Sequence, residues 1–325
     1  MTPSDTTNPP LTVAVAVAVA VFGAANLDIA ASARTTLAPG DSTPGHITST
    51  AGGVGRNIAE NLARLHYKTF LISAVGDDLH GQFLLGHTRR AGVDTSACSV
   101  LSRINTGLYL SLNQPDGALL AAINDMAAID LLTPSEIARH TAVFASASAW
   151  VVDCNLSEAS IAWLMHNKAG KRVFVDGVSS SKCLKVAPHL AAVHTLKINR
   201  LEASALTGLD VANAAQAIAA AQSLCARGVE NVVVSLGGGG VAWCQRSSNS
   251  SGPSGHFPAL KVAVVNSNGA GDALTAGLVH GALAGWPLAQ SVRFANASAA
   301  LTLTSRSANH PDFSVASALR LLEEN

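Results

Sequence analysis

The sequence predicts an α/β protein: a doubly wound, mostly parallel sheet flanked by helices, carrying a small β flap. Two observations predict the sheet. Short β-branched apolar runs recur at residues 70–75, 150–153, 173–176, 195–198 and 231–235. Helical patterns at 58–65, 157–167, 211–227 and 270–284 lie between them, and strand–helix alternation implies parallel strands covered on both faces. Apolar residues make up 48% of the 325, ample for strands buried on both sides. A chain of this length suits two average domains or one large α/β domain.

Taken in order, "MTPSDTTNPP" is polar and lacks Lys and Arg, so residues 1–10 read as a disordered tail rather than a signal peptide. The run "LTVAVAVAVAVFGAAN" is short for a membrane span of about 20 residues. It reads as a buried strand that ends where Asn26 and Asp28 begin. In the 58–65 helix, Ile58, Leu62 and Leu65 form an apolar face, with Glu60 and Arg64 paired on the other. Two stretches, 35–51 and 106–123, break the alternation; in the second, Asp116-Gly117 marks a turn between apolar runs. They predict the flap, with segments near 32–51 and 102–124 serving as a lid, a dimer surface or both. The rest, 11–325, reads as one domain. "RSSNSSGPSG" is a low-complexity loop.

Composition narrows the function. A formal net charge of +0 leaves no electrostatic footprint for nucleic acid or an anionic membrane. Cys98, Cys154, Cys183, Cys225 and Cys244 are scattered without a CxxC pair, which favours reduced thiols in a cytoplasmic protein. The chain has no GxxxxGK[ST], HExxH or GxSxG, so P-loop, zinc-protease and nucleophile-elbow chemistry are excluded.

Ligands of open α/β sheets bind at the carboxyl ends of strands, so polar residues just after apolar runs are the candidates. "AGGVGRN" (51–57) follows a flap segment instead of a core strand, which weakens a dinucleotide reading. A sugar hydroxyl packed against Gly52 and Gly53, bonded by Asn57, fits as well. "SLGGGGVAW" is either a tight turn or a phosphate loop. In "NSNGAGDALTAG" a single carboxylate, Asp272, stands where a helix begins. Helix N-termini carry unpaired N–H groups and a partial positive charge suited to an anion, and Gly269 and Gly271 admit close approach. Asp272 is therefore a cap, or it acts on a species lying between itself and the anion.

The order "GGVGRN", "KINRLEA", "SLGGGG", "NGAGDALTAG", spread over residues 13–322, resembles the ribokinase-like (PfkB) carbohydrate and nucleoside kinases. "GGVGRNIAENLARL", "INDM", "VVDCNLSEA" and "HTLKINRLEA" are most similar to the members that phosphorylate pseudouridine. The resemblance implies transfer of the ATP γ-phosphoryl to the 5′-hydroxyl of pseudouridine. The alternatives are another nucleoside or sugar, such as adenosine or ribose, or a non-catalytic nucleoside-binding regulator.

By resemblance, Asp272 is the base, and the N–H groups of Gly269, Ala270 and Gly271 hold the phosphoryl. Asp28 accepts from the ribose hydroxyls, with Gly53 and Asn57 on the same sugar. Asn26, Thr106, Asn124 and Lys182 supply the remaining nucleoside contacts. Asn199 and Glu202 form an NxxE motif near Mg²⁺, Glu202 acting through water. Ser235, Gly237 and Gly240 belong to a nucleotide loop, and the helix after Asn296 covers adenine. Expected partners are ATP and a nucleoside, with no nucleic acid or membrane, and with a homodimer through the lid. Three departures stand out. Asn266, Ser267 and Asn268 replace the family's Asp-Thr-x, and the missing anion at Asn266 weighs against K⁺ activation. Gly177 and Ile198 replace proline-bearing turns, which is expected to loosen them.

Overall fold

Strand β1 (Ala18–Phe22) is buried along its whole length. Ala18, Ala20 and Phe22 face one hydrophobic core, Val19 and Val21 another, so helices must cover both sides. The computed structural model describes residues 17–38, 40–247 and 252–325; the tail expected over 1–10 and part of the 246–255 loop lie outside them.

From β1 the chain passes through β2 (Asn26–Ala33) and β3 (Gly45–Gly52) and returns by α1 (Val54–Arg64) to β4 (Lys68–Ile72). Then come β5 (Ala74–Gly76), α2 (Leu79–Arg90), β6 (Ser99–Leu101), β7 (Gly107–Asn113) and β8 (Leu119–Asp125). Three short helices, α3 (Ala127–Asp130), α4 (Pro134–Arg139) and α5 (Thr141–Phe144), lead to β9 (Ala149–Asp153), α6 (Glu158–Asn167) and β10 (Arg172–Asp176). A 3₁₀ segment, Cys183–Ala192, precedes β11 (Thr195–Asn199), α7 (Arg200–Thr207), α8 (Ala214–Ala226) and β12 (Asn231–Ser235). The chain closes with β13 (Val241–Gln245), β14 (Ser254–Phe257), α9 (Ala270–Leu283), α10 (Leu288–Leu303) and α11 (Val315–Glu323).

The main sheet has eight strands in the order β14-β13-β12-β11-β10-β9-β1-β4. Strands β12 to β4 run parallel, and β13 and β14 extend the edge antiparallel. The chain leaves β1 for β4 on one side and later returns to β9 on the other. That reversal opens a crevice at the carboxyl ends of β1 and β9. Over it lies a second sheet, β3-β2-β7-β8.

The expected elements are present with shifted bounds. The 70–75 run is two strands, because β5 leaves β4 to pair with β6. α8 starts at Ala214 because the Asn213 side chain accepts from Gln216 N–H. The flap is rooted at Asn26, earlier than the expected 32–51. β2 pairs in parallel with β7 from that residue, so Asn26 and Asp28 belong to the flap and do not end β1. The Asp116-Gly117 turn is present, with Gln114 N–H bonded to Ala118 O at 2.8 Å in one direction and Gly117 at φ 84°.

Asp153, at the end of β9, joins these parts and is fully buried. Its Oδ2 accepts from Ala24 N–H and Gly55 N–H, both at 2.8 Å, and its Oδ1 from Asn155 N–H at 2.8 Å. Burial pushes the carboxyl up, while these hydrogen bonds pull it back. Asp153→Ala strands three buried N–H groups at about 1–3 kcal/mol each. Urea unfolding should show a loss of at least about 3 kcal/mol; a loss below about 1 kcal/mol would contradict the joint.

Candidate active site

α9 begins at Gly269, whose φ of 80° lies in the left-handed region. A Cβ there would fall 1.9 Å from Ala308 O, so only glycine fits. Beneath the same turn lies Lys197 of β11, its Nζ 2.8 Å from where a Gly271 Cβ would be. Lys197 Nζ donates to Asp176 Oδ2 at 3.1 Å, and Thr275 Oγ1 of α9 donates to the same oxygen at 2.7 Å. Burial pulls the ammonium down, but Asp176, Glu202 and Asp272 more than offset it, so Lys197 stays charged. A fixed positive charge thus underlies a helix N-terminus with free N–H groups.

Asp272 stands in the first turn of α9, buried, and Oδ2 accepts from Asn57 Nδ2 at 2.7 Å. Burial, then the Asp176 charge, raise its carboxyl, against Lys197 and Asn57; the balance leaves it at about 7. A carboxyl poised there takes or gives a proton readily near neutral pH.

Asp272 opens into a cleft of about 670 Å³ between the main sheet and the flap, a size suited to a small ligand. Eight of the expected residues line it: Asn26, Asp28, Gly53, Asn57, Asn124, Lys182, Gly269 and Asp272. Asp28 Oδ1 accepts from Asn26 Nδ2 at 2.6 Å. Burial raises the Asp28 carboxyl, opposed by Asn26 and the Arg56 charge. Lys182 Nζ donates to Asn155 Oδ1 at 2.6 Å, and both side chains line the cleft. A carboxylate, several amides and an ammonium suit a ligand rich in hydroxyls and polar edges.

Other expected residues lie elsewhere. Thr106 is not a cleft residue: it is fully buried, donating to Asp78 Oδ1 at 2.7 Å and accepting from Gly76 N–H at 3.0 Å. It fixes the start of β7. Asn199 and Glu202 form a capping box on α7. Glu202 Oε2 accepts from Asn199 N–H at 2.9 Å and Oε1 from the Asn199 side chain, so both oxygens are engaged. Among the described residues no three His, Cys, Asp or Glu groups are clustered to hold a metal ion.

Ser235 ends β12 beside Asn199, and Gly237 and Gly240 turn the chain into β13 at φ 57° and 88°. Ala270 and Gly271 form the first turn of α9 outside the cleft lining. Asn296 lies inside α10, which passes through it rather than following it, and its Nδ2 donates to Pro258 O at 2.8 Å.

The turn at Gly177 is not loosened. Val178 N–H bonds Asp176 Oδ1 at 3.1 Å, Gly177 N–H bonds Lys197 O at 3.1 Å, and a Cβ on Gly177 would meet Glu202 Oε2 at 2.6 Å. Ile198 is wholly buried in β11. Asn266 is a neutral bracket, accepting from Asn268 N–H at 3.0 Å and donating to Arg306 O at 2.9 Å.

Sequence reasoning passed over Lys197 and Arg56 as site residues. The visible signal for Arg56 was its i,i+4 spacing to Glu60, a residue that the sequence pairs instead with Arg64 on the side opposite the apolar face. Arg56 is 1% and Glu60 2% exposed.

Residues 17–314 match the pfkB family of carbohydrate kinases. The chain belongs to that family. It is 42% identical to the pseudouridine kinase of Escherichia coli (strain K12), over 94% of this chain and 96% of that one. It is 28% identical to a guanosine-inosine kinase of Exiguobacterium acetylicum, over 78% of this chain and 84% of the other. The solved Arabidopsis thaliana ribokinase, complexed with ribose and ATP, has the same fold: TM-score 0.82 and 24% identity, over 95% of this chain and 99% of that one. As a PfkB kinase this enzyme is a phosphotransferase with an alcohol acceptor. Among the described residues no helix is long and apolar enough to cross a membrane.

With Asp272 in the role of base that the resemblance implies, Asp272→Asn should lower turnover by about 10²–10⁴-fold. The same change bears on stability. A carboxyl raised in the folded state binds its proton more tightly there than when unfolded. Its contribution is full below the unfolded value and is lost as pH rises through about 7. Asp272→Asn should therefore melt no lower than the native enzyme at pH values above 7. Near-normal turnover would count against the first point, and a lower melting temperature at alkaline pH against the second.

Proposed function

We propose that this kinase transfers the γ-phosphoryl of ATP to the 5′-hydroxyl of pseudouridine. The observation that carries the reading is the 42% identity to a pseudouridine kinase over nearly the full length of both chains. The cleft supports it: hydrogen-bonding groups for a ribose and a base line the same cavity as Asp272.

In this reading the vicinal ribose hydroxyls donate to Asp28, and Gly53 lets the sugar approach the start of α1. The 5′-hydroxyl points at Asp272, which accepts its proton as oxygen attacks phosphorus. The N–H groups of Gly269, Ala270 and Gly271 receive the phosphoryl oxygens, and Lys197 supplies positive charge from below. Such transfer is mostly positioning and charge stabilisation. ATP lies along the ends of β11 and β12, near Asn199, Ser235, Gly237 and Gly240, and Asn296 acts through the Pro258 segment it holds.

Mg²⁺ bound with ATP would neutralise phosphate charge while keeping much of its hydration, with Glu202 and Asn199 nearby. The engaged oxygens of Glu202 fit an outer role through water better than direct ligation.

Two measurements test this. Pseudouridine carries a free N1–H that uridine lacks, and an acceptor left unpaired by uridine costs about 1–3 kcal/mol. Asn124 and Asn155, whose amide oxygens accept, line the cleft as candidate readers of that N–H, and Lys182, a donor only, suits a neighbouring carbonyl of the base. With saturating Mg-ATP, kcat/KM should favour pseudouridine over uridine by about ten- to a hundredfold. Equal values, or a preference for ribose or adenosine, would overturn the substrate and leave the kinase standing. Asp28→Ala should weaken nucleoside binding by about 1.5 kcal/mol or more while ATP binds unchanged. Equal loss for both ligands would make Asp28 structural.

A further inference from the structure

Arg56 is the largest fully buried side chain among the described residues, and it lies just behind the cleft. Its NH2 donates to Asn57 Oδ1 at 2.7 Å and its Nε to the same oxygen at 3.3 Å. NH2 also donates to Asn309 Oδ1 at 2.5 Å, and NH1 to Glu60 Oε2 at 2.9 Å. A guanidinium has no acceptor, so the Asn57 amide must turn its oxygen to Arg56 and its nitrogen to Asp272. A nitrogen donor there favours the ionised form of the base.

The charge count points the same way. Glu60 is already paired with Arg64, Oε1 to NH2 at 2.7 Å, so two guanidiniums meet one carboxylate. The surplus positive charge faces Asp28 and Asp272. Burial pulls the Arg56 guanidinium down, and Glu60, then Asp272 and Asp28, hold its proton. Asn309 completes the brace, its Nδ2 donating to Asn57 O and Asn61 Oδ1, each at 2.9 Å. The neighbouring Ala308 carbonyl is the atom that abuts Gly269.

We propose that Arg56 is a positioning residue: it locks the Asn57 amide and supplies the buried charge that keeps Asp272 able to ionise. The proposal deepens the kinase reading and rests on Asp272 as its base. The groups around the pair are known. From α2, His87 Nδ1 lies 3.3 Å from Arg56 NH1, and burial and Arg56 hold that imidazole below its usual value, so it adds no charge near neutrality. Around Asp272 stand Asp176 of β10, Asp153 of β9 and Lys197 of β11.

The test is a carbon NMR titration of the Asp272 carboxyl in substrate-free protein, assigned with Asp272→Asn. In Arg56→Met the midpoint should rise by about one pH unit, a tenfold change in acid dissociation. The acid limb of kcat/KM for nucleoside phosphorylation should move with it, and Arg56→Lys, which keeps the charge, should restore part of the shift. A folded Arg56→Met with the native midpoint would overturn the proposal. If Arg56→Met does not fold, Asn309→Ala, which loosens the brace and keeps the ion pair, must still raise the midpoint; no rise overturns the proposal. The titration needs no substrate, so failure to phosphorylate any nucleoside would fell the nucleoside reading alone.

Discussion

In the proposed reaction an ionisable carboxylate stands beside the place where a highly charged phosphate is gathered, and the two repel. Asp272 and the N–H groups of α9 share a single helical turn. The structure separates their roles by direction. The free amides open at the helix N-terminus with Lys197 packed beneath them, while Asp272 lines the cleft and meets Asn57. The carboxyl is held between opposing fields, burial and Asp176 against Lys197 and Asn57. Each neighbour is in turn anchored by the sheet: Lys197 and Asp176 sit in register on adjacent strands, and Thr275 ties α9 to Asp176.

The flap depends on the same construction. β2 leaves the end of β1, so Asp28 reaches the cleft from above while Asn57 reaches it from α1 below. Asp153 fixes the separation of those two departures through the backbones of Ala24 and Gly55. A fully buried carboxylate satisfied by backbone donors is costly to remove and rigid while present. That rigidity is what a proton acceptor requires, because a displacement of about 1 Å can cost two orders of magnitude in rate.

The alternation of β-branched runs with helical patterns made the sheet legible, and a lone carboxylate among glycines at a helix start made Asp272 legible. Asn26, Asp28, Asn57 and Asn124 stood out because polar residues follow strands or flap turns where a doubly wound sheet binds ligands, and Lys182 stood out only through the family resemblance; all five line the cleft. Thr106 misled because its partner, Asp78, lies 28 residues away and turns it inward. Lys197 looked like one residue of a strand, and only the fold shows α9 resting on it. Arg56 gave no sign of burial, because one of its partners, Asn309, is 253 positions away. Long-range pairing of this kind leaves no local pattern to read.

The central claim is that Asp272 directs a 5′-hydroxyl, and no other, onto the γ-phosphorus of ATP. Phosphorus–proton correlation NMR on the product made from pseudouridine and Mg-ATP tests it most directly. The account predicts one new phosphate ester whose phosphorus couples to the two 5′ protons of the ribose. Coupling to the 2′ or 3′ proton, or release of ADP with no nucleoside ester, would contradict it.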